Sequence, residues 1–200
     1  MNQQVMLYLP VPSNRGALLA RPALNMFSSY LNNTWYSTYG SNPIDGGVNE
    51  LWWLAQMQRY ALAHGDDAMQ QTSLLPGLRS VLLQSGLRNG TDNLLHVEGC
   101  LSPEYPMPRS TDCSYHLAIF RWAAMTAQAL AEAFAPTDSA LPVYRDIAAR
   151  IAPFPIDNST GSYELAVGVP FRVPHRHYSH LLAIYDLNLP TSNEVMAAGL

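Results

Sequence analysis

The sequence predicts an all-α protein built from helical hairpins. Apolar residues recur at the i, i+3, i+4 spacing of one helix face in segment after segment, whereas the apolar–polar alternation of a strand is almost absent. Short polar or proline-rich connectors separate these segments. Because successive helices with short connectors pack as antiparallel pairs, we expect either a bundle or a toroid of paired helices.

The first clear helix is predicted at 48–64. Leu51 and Leu54 lie at helical spacing, and Trp52 widens the apolar face. Gly65 follows directly and predicts the end of the helix, because glycine adopts φ > 0 without steric cost.

The later elements are bounded by residues that begin or break helices. Asp66 opens one segment, Pro76 suits a first helical turn, and Thr111 or Asp112 is expected to cap a long helix. Helices are also expected within the first thirty residues and from 191 onward. After the helix at 48–64 and before residue 191, we predict helices at 67–75, 76–87, 112–134 and 140–151, a turn at 89–92, and extended pieces at 93–97 and 161–169.

Composition excludes several classes of partner. The formal net charge is −4 and no basic run is present, so nucleic acid and anionic membranes are not expected to bind. No apolar stretch approaches the roughly 20 residues that span a bilayer. Met1 is followed by Asn2 and Gln3 rather than by a basic segment, so no signal peptide is expected in this chain.

Two cysteines, Cys100 and Cys113, leave two alternatives open. They are either a pair of buried thiols or a disulfide across the intervening loop. No Cys-x-x-Cys is present, and the spacing does not match the usual zinc frameworks.

The loop at 101–108, LSPEYPMP, contains three prolines and cannot form a helix. Glu104 stands in it beside apolar Leu101 and Tyr105. An apolar setting raises the pKa of a carboxyl group until it can act as an acid near neutral pH. Glu104 is therefore a candidate general acid, the alternative being a solvated surface glutamate.

Half of the six histidines fall at 175–180, HRHYSH, together with Arg176. A metal site is one interpretation, because neutral imidazole binds zinc, copper and nickel. Against it, Ser179 stands where the HxHxDH metal motif has a carboxylate, and Arg176 would place a positive charge beside the cation. The other interpretations are structural histidines bonded to backbone, or a site for sugar hydroxyls, since His175, His177, His180 and Arg176 can donate to several at once.

Three segments together resemble the catalytic domain of glycoside hydrolase family 95, whose best-known members are α-L-fucosidases. They are SPEY at 102–105, HRHYSHLL at 175–182 and WWLAQMQRYALAHGDD at 52–67, and the resemblance covers about 47–189. Tyr105 replaces the asparagine of typical fucosidases, and Leu189-Pro190 replaces a Pro-Gly. These departures leave the sugar open.

The resemblance implies an (α/α)6 toroid and an inverting glycosidase that needs no cofactor or metal. It implies Glu104 as general acid, Arg176 and His177 as sugar contacts, and Asn2 as a residue that positions the attacking water. His175 and His180 complete the expected substrate-binding cluster. The general base would be an aspartate further along the polypeptide.

We therefore expect residues 1–200 to be part of a catalytic domain that is incomplete at both ends. The expected partners are an oligosaccharide or glycan and the remainder of the same polypeptide. The resemblance further implies export to the periplasm or the extracellular space. The rival functions are a metal-dependent hydrolase that uses His175, His177 and His180, and a non-catalytic carbohydrate-binding domain.

Overall fold

The computed structural model describes residues 43–102 and 105–190, and within them the fold is predominantly helical. The all-α class predicted from the sequence is thus confirmed for this part of the chain. The elements in chain order are α1 (Pro43–His64), α2 (Asp67–Met69), a π-helical turn (Gln70–Leu74), α3 (Leu75–Leu83), β1 (Arg88–Asn89), β2 (Leu95–His96), α4 (Ser114–Phe134), α5 (Leu141–Arg150), a 3-10 turn (Ser179–Leu181) and α6 (Leu182–Tyr185). None of these helices is both long and apolar enough to cross a bilayer.

Helix α1 buries the apolar stripe that predicted it. Leu51 and Leu54 have no exposed surface. Gly65 ends the helix with φ of 62°, the left-handed conformation expected of a C-terminal glycine. Asp66 then caps α2, since its Oδ1 accepts the N–H of Met69 at 3.0 Å.

The predicted break at Pro76 is instead a continuous helical path from α2 to α3 through the π-helical turn. Proline lacks an N–H, and its ring clashes with the carbonyl four residues earlier in a regular helix. The turn widens just before it: the N–H of Leu75 bonds the carbonyl of Gln70, five residues back. This wider turn accommodates Pro76. Helix α3 ends at Leu83 rather than near 87.

A short antiparallel hairpin, β1–β2, accounts for the turn and the extended piece predicted nearby. Asn89 pairs with Leu95, so the turn begins one residue later than expected. Asn93 holds it with φ of 66°, a conformation that asparagine tolerates better than most residues. At 161–169 the structure has isolated bridges, Ala166 to Val169 among them, in place of a regular strand.

Helix α4 begins at Ser114, later than Asp112 would place it as a cap. Asp112 adopts φ of 53° and turns to the hairpin instead. Its Oδ1 accepts the N–H of Val97 at 2.9 Å, and its Oδ2 accepts Nδ1–H of His96 at 2.6 Å. The carboxylate is therefore used by residues distant in sequence rather than by the helix end.

Two compact units make up the described chain. The first takes in the described residues up to Ser85 together with Thr126–Val143, and the second takes in Gly86–Met125 and the described residues from Tyr144 onward. Among the largest fully buried side chains, the first unit holds Leu51, Leu54, Met57, Leu74, Leu78 and Leu82, and the second holds Leu117, Ile119, Phe120, Tyr144 and Leu165.

Candidate active site

The candidate site lies in the second unit, where the flanks of the proline-rich loop meet the histidine cluster. Glu104 itself lies outside the described residues, as does Asn2. The residues on either side of the undescribed pair 103–104 are placed, however. Ser102 Oγ lies 2.6 Å from Ser179 Oγ, and both side chains are buried. The stem of the loop is thus joined to the middle of the cluster.

Tyr105, on the other side of that pair, makes the second connection. Its ring meets the ring of His175 edge to face, with centroids 5.7 Å apart. Its hydroxyl accepts the backbone N–H groups of Arg172 and Val173 at 3.4 and 3.1 Å. Tyr105 therefore fixes the segment that leads into the cluster as well as the cluster's first histidine.

Aromatic rings line this junction. Phe171 stacks on His180 with centroids 4.6 Å apart, and its ring lies 5.7 Å from that of Tyr105 and 5.8 Å from that of Tyr178. Tyr178 is exposed, whereas Phe171 and Tyr105 are half-buried. Half-buried aromatic faces next to polar groups suit a ligand with one apolar face, as a pyranose has.

Three of the polar groups form a chain of hydrogen bonds. The backbone N–H of His177 donates to the ring nitrogen Nδ1 of His175 at 3.2 Å. The side-chain Nε of Arg176 donates to the ring nitrogen Nε2 of His177, also at 3.2 Å. A ring nitrogen that accepts a hydrogen bond carries no proton. In this geometry Nδ1 of His175 and Nε2 of His177 act as acceptors, which places the ring N–H on Nε2 of His175 and on Nδ1 of His177.

His180 differs from the other two histidines in its burial. It is 5% exposed, and burial lowers its pKa to about 4, since desolvation disfavours the imidazolium. At neutral pH the ring is uncharged. Its Nδ1 is buried and has no hydrogen-bond partner within the described chain. A buried polar atom of this kind can bond a ligand at little further desolvation cost.

The three histidines do not converge on a common point. Within the described residues, one group of three His, Cys, Asp or Glu side chains brings its ligand atoms close enough to share an ion, and it consists of Cys100, Cys113 and His116. In the histidine cluster, Nδ1 of His175 already accepts the N–H of His177. The three histidines are therefore not grouped around one point in the described residues.

An ion pair between Arg172 and Asp157, which holds the chain just before the histidine cluster, was not predicted from the sequence. Arg172 Nη1 lies 2.6 Å from Asp157 Oδ2, and Asp157 also accepts hydrogen bonds from Ser159 and Thr160. These hydrogen bonds hold the pKa of the Asp157 carboxyl well below its usual range, and those from Ser159 have the largest effect. The sequence carried one local signal, since Asp-Asn-Ser-Thr-Gly at 157–161 is typical of an Asx turn.

No protein-family model matches the chain, and no curated protein matches it either.

Proposed function

We propose that this chain carries the acid and sugar-binding part of an inverting glycoside hydrolase built on an (α/α)6 toroid. The observation that supports it is the contact of Ser102 with Ser179 and of Tyr105 with His175, at 2.6 Å between hydroxyls and 5.7 Å between ring centroids. These contacts tie both flanks of Glu104 to one cluster of donors. A general acid and the groups that hold its sugar must reach the same pyranose.

The roles follow from the chemistry of each group. Glu104 protonates the leaving glycosidic oxygen. Arg176, His175 and His177 donate to ring hydroxyls, and His180 contributes the unpartnered Nδ1. Imidazole suits this task because its two ring nitrogens can donate and accept, as sugar hydroxyls do.

The second half of the mechanism requires groups beyond this site. Asn2 would help to position the attacking water, and an aspartate further along the polypeptide would activate it. In an inverting enzyme the two carboxyl groups stand roughly 6.5–9.5 Å apart to admit that water. The substrate proposed is a terminal α-L-fucose or a related galactose-configured sugar on an oligosaccharide.

The test is Glu104→Gln in the complete polypeptide that contains this chain. Hydrolysis of aryl α-L-fucosides and aryl galactosides is measured with good and poor leaving groups. Loss of general acid assistance should lower the rate about 10²–10⁴-fold on poor leaving groups. Good leaving groups need less protonation and should be affected less. Binding of the free sugar should be unchanged.

The matched control is Glu98→Gln, which removes an exposed carboxylate from the same unit. Its rates should equal those of the unchanged protein. An equal loss on good and poor leaving groups in Glu104→Gln would assign Glu104 a structural role. Sugar binding without turnover in the complete polypeptide would favour a non-catalytic carbohydrate-binding domain.

A further inference from the structure

Cys100, Cys113 and His116 form a compact group within the second unit. Their two sulfur atoms and a ring nitrogen of His116 all lie within 4.8 Å of one another. The two cysteines have no exposed surface and His116 is 2% exposed. The sulfurs are joined as a disulfide, with the Cα atoms 6.0 Å apart.

Two local features of the backbone bring these residues together. Cys100 and Ser110 exchange two backbone hydrogen bonds, of 2.9 and 3.0 Å, which close the proline-rich loop at its base. Cys113 immediately precedes α4, and its carbonyl accepts the N–H of His116 at 2.9 Å. Cys113 and His116 therefore lie on the same helical turn, three residues apart.

One backbone donor and a helix end would stabilise a thiolate here, against the burial of both sulfurs and the carbonyl oxygen of Ser110, 3.2 Å from Sγ of Cys100. The N–H of Cys113 points at Sγ of Cys100, 3.0 Å away. Cys113 stands at the amino end of α4, a helix of 21 residues, whose dipole stabilises negative charge there. A thiolate is the form of cysteine that binds metal ions.

We propose that the reduced form of this group binds one zinc ion, through Cys100, Cys113 and His116. A dithiol reductant supplies two electrons and two protons to the Cys100–Cys113 bond and itself becomes a disulfide. The zinc ion then displaces the two thiol protons to solvent. Two thiolates and a neutral imidazole around Zn²⁺ carry no net charge, which suits a site removed from water.

One ion can be held once the disulfide is open. Zinc binds sulfur at about 2.3 Å and nitrogen at about 2.0–2.1 Å, so ligand atoms around one tetrahedral ion lie roughly 4 Å apart. Opening the disulfide lets the two sulfur atoms, which are bonded to each other here, separate to that distance, and the His116 nitrogen already lies within 4.8 Å of both. Three protein ligands leave the fourth coordination position of a tetrahedral zinc ion unassigned. Zinc would thus link Cys100 to the start of α4 in the reduced chain, as the disulfide does in the oxidised chain.

This proposal does not depend on the proposed function, and its test needs no sugar. The chain is reduced with a dithiol, freed of reductant without oxygen, and titrated with Co²⁺, which reports thiolate ligands by sulfur-to-metal charge transfer. One equivalent should bind with this absorption and be displaced by Zn²⁺. The oxidised chain, which has the same sequence, should bind none at the group.

His116→Asn removes the nitrogen ligand and should weaken Co²⁺ binding by more than about tenfold. Changing a residue that only bonds to a metal ligand already costs about that much, so loss of the ligand itself should cost at least as much. The matched control is His64→Asn, in which the ring lost is bonded to the carbonyl of Tyr60 on α1; its binding should equal that of the unchanged chain. Absence of the charge-transfer band in the reduced chain would overturn the proposal. So would equal Co²⁺ binding by the oxidised chain, or by a folded His116→Asn.

Discussion

Glu50 lies on the buried face of α1, in the first unit, with 3% of its surface exposed. Burial raises its pKa from 4.5 to about 7, since the carboxylate form loses its hydration. The unfolded chain leaves the same group in water with its ordinary pKa. Glu50 therefore makes the free energy of unfolding depend on pH near neutrality.

The direction of this dependence follows from the sign of the shift. Between pH 4.5 and about 7 the folded state binds a proton that the unfolded state has lost, so the stability falls as pH rises. At about 1.4 kcal/mol for each unit of pKa, ionised Glu50 costs roughly 3 kcal/mol above pH 7.

Glu50→Gln should remove that cost. Urea unfolding at pH 8.5 should show the variant more stable than the unchanged protein by up to roughly 3 kcal/mol, and the difference should shrink toward pH 4.5. Glu98→Gln, at an exposed position, is the control and should give no such trend. A Glu50→Gln difference that is the same at both pH values would contradict this account.

His96 lies between two carboxylates. Its Nδ1 donates to Asp112 at 2.6 Å and its Nε2 to Asp92 at 3.1 Å. Because carboxylates only accept, both bonds are satisfied together by the imidazolium. The bond to Asp112, and then that to Asp92, raise the pKa of His96 above 6.5.

A histidine whose pKa is raised by folding stabilises the folded state fully at pH values below its pKa in the unfolded chain. This contribution is lost as pH rises through the pKa of the folded state. His96→Gln should therefore lower Tm more at pH 5.5 than at pH 9. Thermal unfolding across this range measures it, with His64→Gln as the control. A larger Tm loss at pH 9 would show that His96 acts through its neutral form.

At the scale of single elements, α4 supplies much of the buried surface of the second unit. Phe120 has no exposed surface, and truncating a buried phenylalanine to alanine typically costs about 3–5 kcal/mol. We expect Phe120→Ala to lower the free energy of unfolding by that amount. Phe134, at the end of the same helix and 37% exposed, is the matched position. Phe134→Ala should lower the free energy of unfolding by less. An equal loss in the two variants would show that burial does not determine the cost of truncation.

Elements specified by neighbouring residues were predictable from the sequence. The periodicity that ends at His64, the glycine that follows it and the cap at Asp66 all act within a few residues. Helix α5 at Leu141–Arg150 also lies close to the predicted 140–151. The start of α4 was placed too early because Asp112 bonds Val97 and His96, contacts that local patterns do not encode.

The site was predictable in its residue types but not in its connections. Three histidines and an arginine within six residues made 175–180 a candidate binding cluster before any geometry was known, and that role stays a prediction. The bond of Ser102 to Ser179 joins residues 77 positions apart, and nothing local in either loop specifies it. For the same reason the spacing of Cys100 and Cys113 left open the disulfide that the structure contains.

At the scale of the whole chain, α4 belongs to both compact units. The boundary between them falls after Met125, inside the helix, so residues 114–125 belong to the second unit and 126–134 to the first. Phe120 in one half and Ala127 in the other are both fully buried. Because each helical turn is hydrogen-bonded to the next, loss of either half withdraws support from the other. We therefore expect both units to unfold in one transition.

Met125→Pro tests this coupling. Met125 is 42% exposed, so the substitution acts on the backbone more than on packing. Proline removes the hydrogen bond to the carbonyl of Arg121 and clashes with it, at a cost of about 3 kcal/mol or more. Helix content and tryptophan fluorescence should give coincident unfolding curves for the unchanged chain and separate ones for the variant, at lower denaturant. Met125→Ala keeps the backbone bond and should retain one transition. Separate curves already in the unchanged chain, or an unaltered midpoint in Met125→Pro, would show that α4 does not couple the units.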